Sequence, residues 1–202
     1  VDLKWISILR RGFIEVANVR YDLAHLLASA FTFVIPASQR FSAVTATVHV
    51  EYTSHCVSFG AGPNGPLDFE VLGNARKIFD HRNVARAFCP DRYRWSLKLP
   101  AIIEQLEERR CYFTGHSNWL VIEDIDDRGE AVEYEVFFRL RRAAAGQLRL
   151  VIESAYVRDA ERPQTAGKPG IPRNRRSIVR FRVMAAKILR GESIRDPNLS
   201  RQ

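Results

Sequence analysis

The chain has 202 residues, 46% hydrophobic and 27% charged, and its 31 Lys and Arg outnumber 23 Asp and Glu to leave a formal net charge of +8. These values exclude a disordered chain and a bundle of membrane spans, and they fit one globular domain with extensions. The excess charge is almost entirely arginine, whose planar fork matches phosphate, so it favours an anionic partner such as nucleic acid; a GC-rich genome produces the same bias without one.

In chain order, Val1 to Ala30 carries apolar residues at Trp5, Ile6, Leu9, Phe13, Val16, Ala17, Leu23, Leu26 and Leu27. That spacing is near the helical period and predicts one or two amphipathic helices, broken around Gly12. The apolar run Leu23 to Pro36 contains His25, Ser29 and Thr32 and is shorter than the roughly 20 residues a bilayer crossing requires. It also lacks a cleavage pattern after a basic start. No membrane association and a cytoplasmic location are therefore expected.

From Phe41 the pattern SAVTATVHVEYTSHC alternates. Val44, Ala46, Val48, Val50 and Tyr52 fall on one face of a predicted strand, with His49, Glu51 and His55 on the other. The loop GAGPNGPLDFE follows, and Asn74 to Phe88 reads as a short helix or an ordered loop. FCPDRYRWSLKLP then leads into a helix over LPAIIEQLEERR, which Pro100 opens and Ile102, Ile103 and Leu106 stripe.

Next come CYFT, WLVIED, VEYEVFFRLRR and LRLVIESAYVRD, separated by turn residues. Short β-rich runs with short connections predict an antiparallel meander over 111–159, with Val121, Val136, Phe138, Leu150 and Ile152 buried. AERPQTAGKPGIPRNRR reads as a basic Pro/Gly-rich loop. SIVRFRVMAAKILRG reads as a strand turning into a helix, or as one helix. The expected fold class is α+β, with N-terminal helices packed on a mostly antiparallel sheet of four to six strands. Its parts are a helical extension over 1–30, a core domain over 31–158, the basic loop over 159–176 and a strand and helix over 177–202 that complete the core.

The three cysteines, Cys56, Cys89 and Cys111, are an odd number at wide intervals, which suits a reducing compartment and buried thiols. No metal and no cofactor are expected, since no histidines, cysteines or carboxylates have ligand spacing. His49 and His55 on a straight strand would lie ~20 Å apart. His55 alone can move protons, because an imidazole titrates near neutrality. His116 sits in the turn GHSN, and His81 in the charged string RKIFDHRNVAR, where Asp80 can pair with a neighbouring arginine.

FCPDRYRWSLKLP sets Arg92, Arg94 and Lys98 beside Tyr93 and Trp95, with Ser96 as a hydroxyl: cations for phosphate next to rings on which bases stack. Alternation gives the plainer reading, in which Tyr93, Trp95, Leu97 and Leu99 point inward. The expected arrangement is mixed. Trp95 and Leu99 anchor the segment, while Arg92 and Ser96 face the surface that holds His55 and Tyr156. On LRLVIESAYVRD, Ser154, Tyr156 and Arg158 share one face, away from Glu153, Ala155 and Val157. Such a row can grip a phosphodiester, and ordinary exposed strands also carry it.

The segments SHC, RYRWSLKLPAII, CYFTGHSNWLVIED, EYEVFFRL and LRLVIESAY resemble the bacterial stationary-phase growth adaptation proteins over roughly 33–156, with SIVRFRV added. That resemblance implies no chemistry by itself. At the level of fold, helices followed by a meander are similar to RelE-like and barnase/colicin-type ribonucleases. The likeness implies a toxin-like ribonuclease that cleaves RNA without metal. His55 or His116 would move protons, Arg92 and Arg158 would offset charge, and Tyr156 would orient the RNA. Tyr93, Arg94, Ser96, His116 and Ser154 would bind it. The alternative is a non-catalytic nucleic-acid-binding module, or a regulatory protein that docks a protein partner through its N-terminal helices.

Overall fold

A computed structural model describes residues 2–62, 65–114, 119–127, 130–157 and 177–194. The fold class is α+β. Helix α1 (Trp5–Arg11) ends at Gly12, whose φ of 83° makes the left-handed cap that donates to the carbonyls of Ile8 and Leu9. A second N-terminal helix does not follow, which corrects the helical reading of 1–30. Strands β1 (Phe13–Val16) and β2 (Val19–Asp22) form an antiparallel hairpin in which Val16 pairs with Val19. Ala17 and Asn18 make the connection with φ of 50° and 64°, the doubly left-handed turn whose twist matches paired strands. Ile14 and Val16 are buried at period two, and the short β-branched runs around Asn18 are the signal that the helical count passed over.

The main sheet has seven strands in the order β12-β8-β9-β10-β11-β4-β3, more than the expected four to six. These are β3 (Ser29–Ile35), β4 (Val44–Tyr52), β8 (Arg110–Phe113), β9 (Trp119–Asp127), β10 (Glu130–Ala144), β11 (Gln147–Val157) and β12 (Ile178–Arg180). Strands β8 to β11 lie side by side in chain order, each antiparallel to the next. β11 pairs with β4 in parallel, a pairing that the long stretch of chain between the two strands allows.

Residues 77–88, expected as helix or loop, instead add β6 (Lys77–Phe79) and β7 (Ala85–Phe88) to a three-stranded sheet with β5 (Ser58–Phe59). Between β5 and β6 runs the short helix α2 (Phe69–Leu72), capped by the Asp68 carboxylate.

FCPDRYRWSLKLP forms helix α3 (Pro90–Ser96), with Pro90 and Asp91 in its first turn, followed by α4 (Leu99–Glu104). From Pro90 to Pro100 the buried positions are Arg92, Trp95, Ser96 and Leu99, which is spacing i, i+3, i+4, i+7. The alternating reading is therefore corrected at Leu97, which is 51% exposed, and the helical stripe takes an arginine into its apolar face. Residues 178–189 resolve as β12 followed directly by α5 (Phe181–Leu189).

A small cluster of Tyr112, Ile122 and Phe137 lies apart, and the main core joins these elements. Val121, Val136, Phe138, Leu150 and Ile152 are all inside it, together with Trp5, Ile8, Ile14, Leu23 and Leu26 from the first 30 residues. Most of the N-terminal apolar stripe is thus part of the core, while Ile6 and Leu27 of the same stripe stay exposed. Trp5 also donates its indole N–H to the carbonyl of Tyr52, 3.0 Å away. Phe181 of α5 sits among Phe31, Phe33 and Phe138 at ring separations of 6.3, 6.1 and 6.1 Å. The basic loop 159–176 lies outside the described residues. No described helix is long and apolar enough to cross a membrane.

Candidate functional site

Strand β4 ends at Tyr52, so His55 is not on the strand beside His49 as the alternation suggested. It occupies a single 3-10 turn, Ser54–Cys56. Thr53 holds this turn: its hydroxyl accepts the His55 N–H at 3.2 Å and donates to the carbonyl of Glu153 at 2.8 Å. From the other side, Arg92 Nη1 donates to the His55 carbonyl at 3.0 Å. The backbone on both sides of the imidazole is therefore fixed to β11 and to α3.

The imidazole Nε2 lies 3.3 Å from Asp80 Oδ2, with the histidine side chain 31% exposed and the aspartate 5%. Asp80 was read as a possible partner for arginine. Its other oxygen, Oδ1, accepts the N–H groups of Arg82 and Val84, both at 2.9 Å, which closes the β6–β7 turn. Burial would raise the Asp80 pKa, but those N–H groups and His55 outweigh it and hold the carboxyl below its ordinary value. Burial, reinforced by the charge of Arg86, pushes His55 down to about 4. At neutral pH the pair is thus a neutral imidazole donating Nε2–H to a carboxylate, which leaves Nδ1 as its basic nitrogen.

Two guanidiniums converge behind the pair on the carbonyl of Ser58. Arg92 Nη1 reaches it at 2.7 Å and Arg86 Nη2 at 3.2 Å, while Arg86 Nε donates to Ser58 Oγ at 2.9 Å. Burial and the neighbouring charge of Arg92 bring Arg86 down to about 10. Gly60 lies against this guanidinium: a Cβ there would come within 2.9 Å of Arg86 Nη1 and would have to push the side-chain tip aside. Asp80 thus faces a neutral imidazole with the Arg86 and Arg92 guanidiniums behind it, and a second carboxyl, that of the fully buried Glu135, lies opposite Tyr156 in the β10–β11 register.

Of the residues expected to share a site, the structure brings His55, Arg92 and Tyr156 together. The Arg92 guanidinium lies 4.9 Å from the Tyr156 ring centroid. Its role is corrected, however: Arg92 is 7% exposed and its Nη1 is committed to main-chain carbonyls, so it is a strut of the site rather than an open substrate contact. Ser96 is fully buried, donating to the carbonyl of Tyr93 at 2.7 Å and lying 2.8 Å from His25 Nε2. With its own hydrogen given to that carbonyl, Ser96 accepts from His25 and is neither a nucleophile nor a surface hydroxyl. Tyr93 packs against Tyr21 and His25 at ring separations of 5.0 and 5.6 Å. Arg94 is exposed, stacked 4.3 Å over Trp95, which is itself buried as expected.

Ser154 and Tyr156 do share the outer sheet face, but Glu153 joins them there. A register shift opposite Phe137/Phe138 inserts Glu153 as an extra residue, and its carboxylate meets Arg139 at 2.6 Å. His116 and Arg158 lie outside the described residues. Asp80 and Arg86 are the functional candidates not assigned from the sequence; only the fold places the β6–β7 turn beside residue 55.

All three cysteines are free, and burial drives the Cys56 thiol up to about 12, so it is a neutral filler. No group of three or more potential metal ligands occurs among the described residues. A groove of about 380 Å³ between Gln105–Tyr112 and Val121–Glu123 is spanned by the Arg109–Glu123 ion pair and shares no residue with the His55 cluster.

No curated protein and no solved structure matches the chain. The YjaZ family model matches residues 13–189, from the first residue of β1 to the last of α5, and the chain belongs to the YjaZ family.

Proposed function

We propose that the protein cleaves RNA phosphodiesters, in the manner of toxin-like ribonucleases, with His55 as the proton-transfer group. The observation that carries this reading is the His55–Asp80 pair, a part-exposed neutral imidazole oriented by a buried carboxylate beside the Arg86 and Arg92 guanidiniums. His55 Nδ1 takes the proton of a ribose 2′-hydroxyl as its oxygen forms a bond to phosphorus. The P–O5′ bond breaks, and the leaving oxygen takes a proton from water or from the Tyr156 hydroxyl. The products are a 2′,3′-cyclic phosphate and a 5′-hydroxyl, with no change of oxidation state. Arg86 offsets the charge that builds on the phosphoryl oxygens.

A single-turnover assay on a mixed-sequence RNA, run with chelator present, tests the reading. Wild type is expected to leave cyclic-phosphate ends and to lose activity as pH falls through about 4, where His55 protonates. His55→Gln and Asp80→Asn should each lower the rate ~10²–10⁴-fold, the usual range for general acid–base catalysis. Cleavage of a 2′-deoxy substrate, or undiminished activity in His55→Gln, would sink it. The second reading, non-catalytic nucleic-acid binding, is favoured by the commitment of Arg92 to main-chain carbonyls, which leaves fewer donors for a transition state. It predicts RNA binding without cleavage.

A further inference from the structure

Three cations on the N-terminal and β6 side of the protein, Arg11, Arg20 and Lys77, stand over aromatic rings. Arg11 and Arg20 both stand over the ring of Phe13, at 5.2 and 3.7 Å from its centroid. Lys77 stands between Phe69 and Phe79, at 5.2 and 5.6 Å. These two clusters adjoin. Strand β1 packs against the turn Asn74–Arg76, and the Phe79 N–H donates to the carbonyl of Leu3 at 2.8 Å, so β6 runs beside the entry to α1. One residue beyond Phe79 is Asp80, the partner of His55.

Carboxylates on the same surface are used differently. Asp2 accepts from Lys4 N–H and Ser7 Oγ, Asp22 from Ala24 N–H, and Asp68 from Glu70 and Val71 N–H. They cap main chain, whereas Arg20 and Lys77 lie on ring faces and Arg11 does both, its Nε donating to the carbonyl of Phe13 at 3.2 Å. Glu15 sits opposite Arg20 in the hairpin register and is the acidic neighbour an incoming phosphate must tolerate.

We infer that this surface is a track for single-stranded RNA, running from Phe13 with Arg11 and Arg20, past Lys77, to His55. It deepens the reading above and rests on it for the choice of RNA. A guanidinium stacked on a ring is held flat, so its outer face takes a base while its N–H edge takes a phosphate. Preorganisation of this kind removes the ordering cost that a free arginine incurs on binding.

The test is fluorescence anisotropy with a labelled 2′-O-methyl oligonucleotide, which presents bases and phosphates but has no 2′-hydroxyl to react. The proteins are wild type, Arg11→Gln/Arg20→Gln, Arg20→Lys, and Arg149→Gln as a control on β11, where Arg149 pairs with Glu51. The double variant is expected to bind ~10-fold or more weakly at moderate salt, with the slope of log K against log salt reduced by roughly 1–2. Arg20→Lys keeps the charge but loses the flat face and should fall between. Equal binding by wild type and the double variant overturns the track, as does an equal loss in Arg149→Gln or no binding by wild type. The outcome is separable from the cleavage reading. If the double variant loses binding while wild type cuts no RNA, the track stands and the ribonuclease fails. If His55→Gln abolishes cutting while the double variant binds normally, the reverse holds.

Discussion

Arg92 shows how one residue's role turns on burial. As an exposed cation it would be removable at little cost to stability; as found, its Nη1 satisfies the carbonyls of His55 and Ser58 inside the protein. Arg92→Ala strands both acceptors and is expected to destabilise by about 2–4 kcal/mol in chemical denaturation. Trp95→Ala, which empties a core site beside Tyr134, should cost ~3–5 kcal/mol. A loss in Arg92→Ala below ~0.5 kcal/mol would show that water replaces the guanidinium freely. His55 has its own signature. Its pKa falls from an ordinary 6.5 to about 4 on folding, through burial and the charge of Arg86, so folding expels a proton between those values. The associated stability is complete above pH 6.5 and is lost as pH falls from 6.5 towards 4. Denaturation across that window should give a steeper acid decline for wild type than for His55→Gln. Parallel curves would contradict the buried neutral imidazole.

At the scale of elements, the β1–β2 hairpin closes through Ala17 at φ 50°, a left-handed conformation in which the Cβ crowds the following carbonyl. Ala17→Gly relieves roughly 1–2 kcal/mol of that crowding and gives back part of it as unfolded-chain entropy, for an expected net gain of about 0.5–1 kcal/mol. Thermal unfolding reads it directly; a lower midpoint would place Ala17 outside the left-handed region. Helix α5 is the complementary case. Its residues are distant in sequence from the sheet they cover, yet Phe181 is fully buried among Phe31, Phe33 and Phe138. Phe181→Ala should therefore cost ~3–5 kcal/mol, as much as a mid-sheet truncation. A loss under 1 kcal/mol would mean that α5 docks weakly.

Across the whole molecule, the main core runs from Trp5 to Ala186, and the sheet pairs β11 with β4 across about half the chain. Indole fluorescence and far-UV circular dichroism should accordingly report one coincident unfolding transition. An earlier fluorescence transition would mark the N-terminal segment as an independently melting unit. The basic balance of the chain acts at this scale too. Part of it is internal, as in Arg86 and Arg92, and part is paired in ladders on the outer sheet face, as in Arg139–Glu153 and Arg149–Glu51. The sum of charges therefore overstates what is offered to an anionic partner.

Patterns of local period were legible from the amino acids alone. The alternation of β4, the β-rich runs that became β8 to β11 and the burial of Trp95 and Leu99 follow from side-chain spacing, which acts within one element. The hairpin at Phe13–Asp22 was local as well, but its few apolar positions fit a helical count equally, and the two left-handed residues of its turn decided it. What no local rule could supply was the company of His55. Asp80, Arg86 and Arg92 come from the β6–β7 turn, β7 and α3, and they meet the imidazole because β5, β6 and β7 pair and α3 packs on β11. Whether an arginine faces solvent or a carbonyl is settled by that packing. A sequence sets each residue's chemistry and its neighbours in the chain, whereas burial, and the pKa and donor commitments that burial forces, belong to the folded whole.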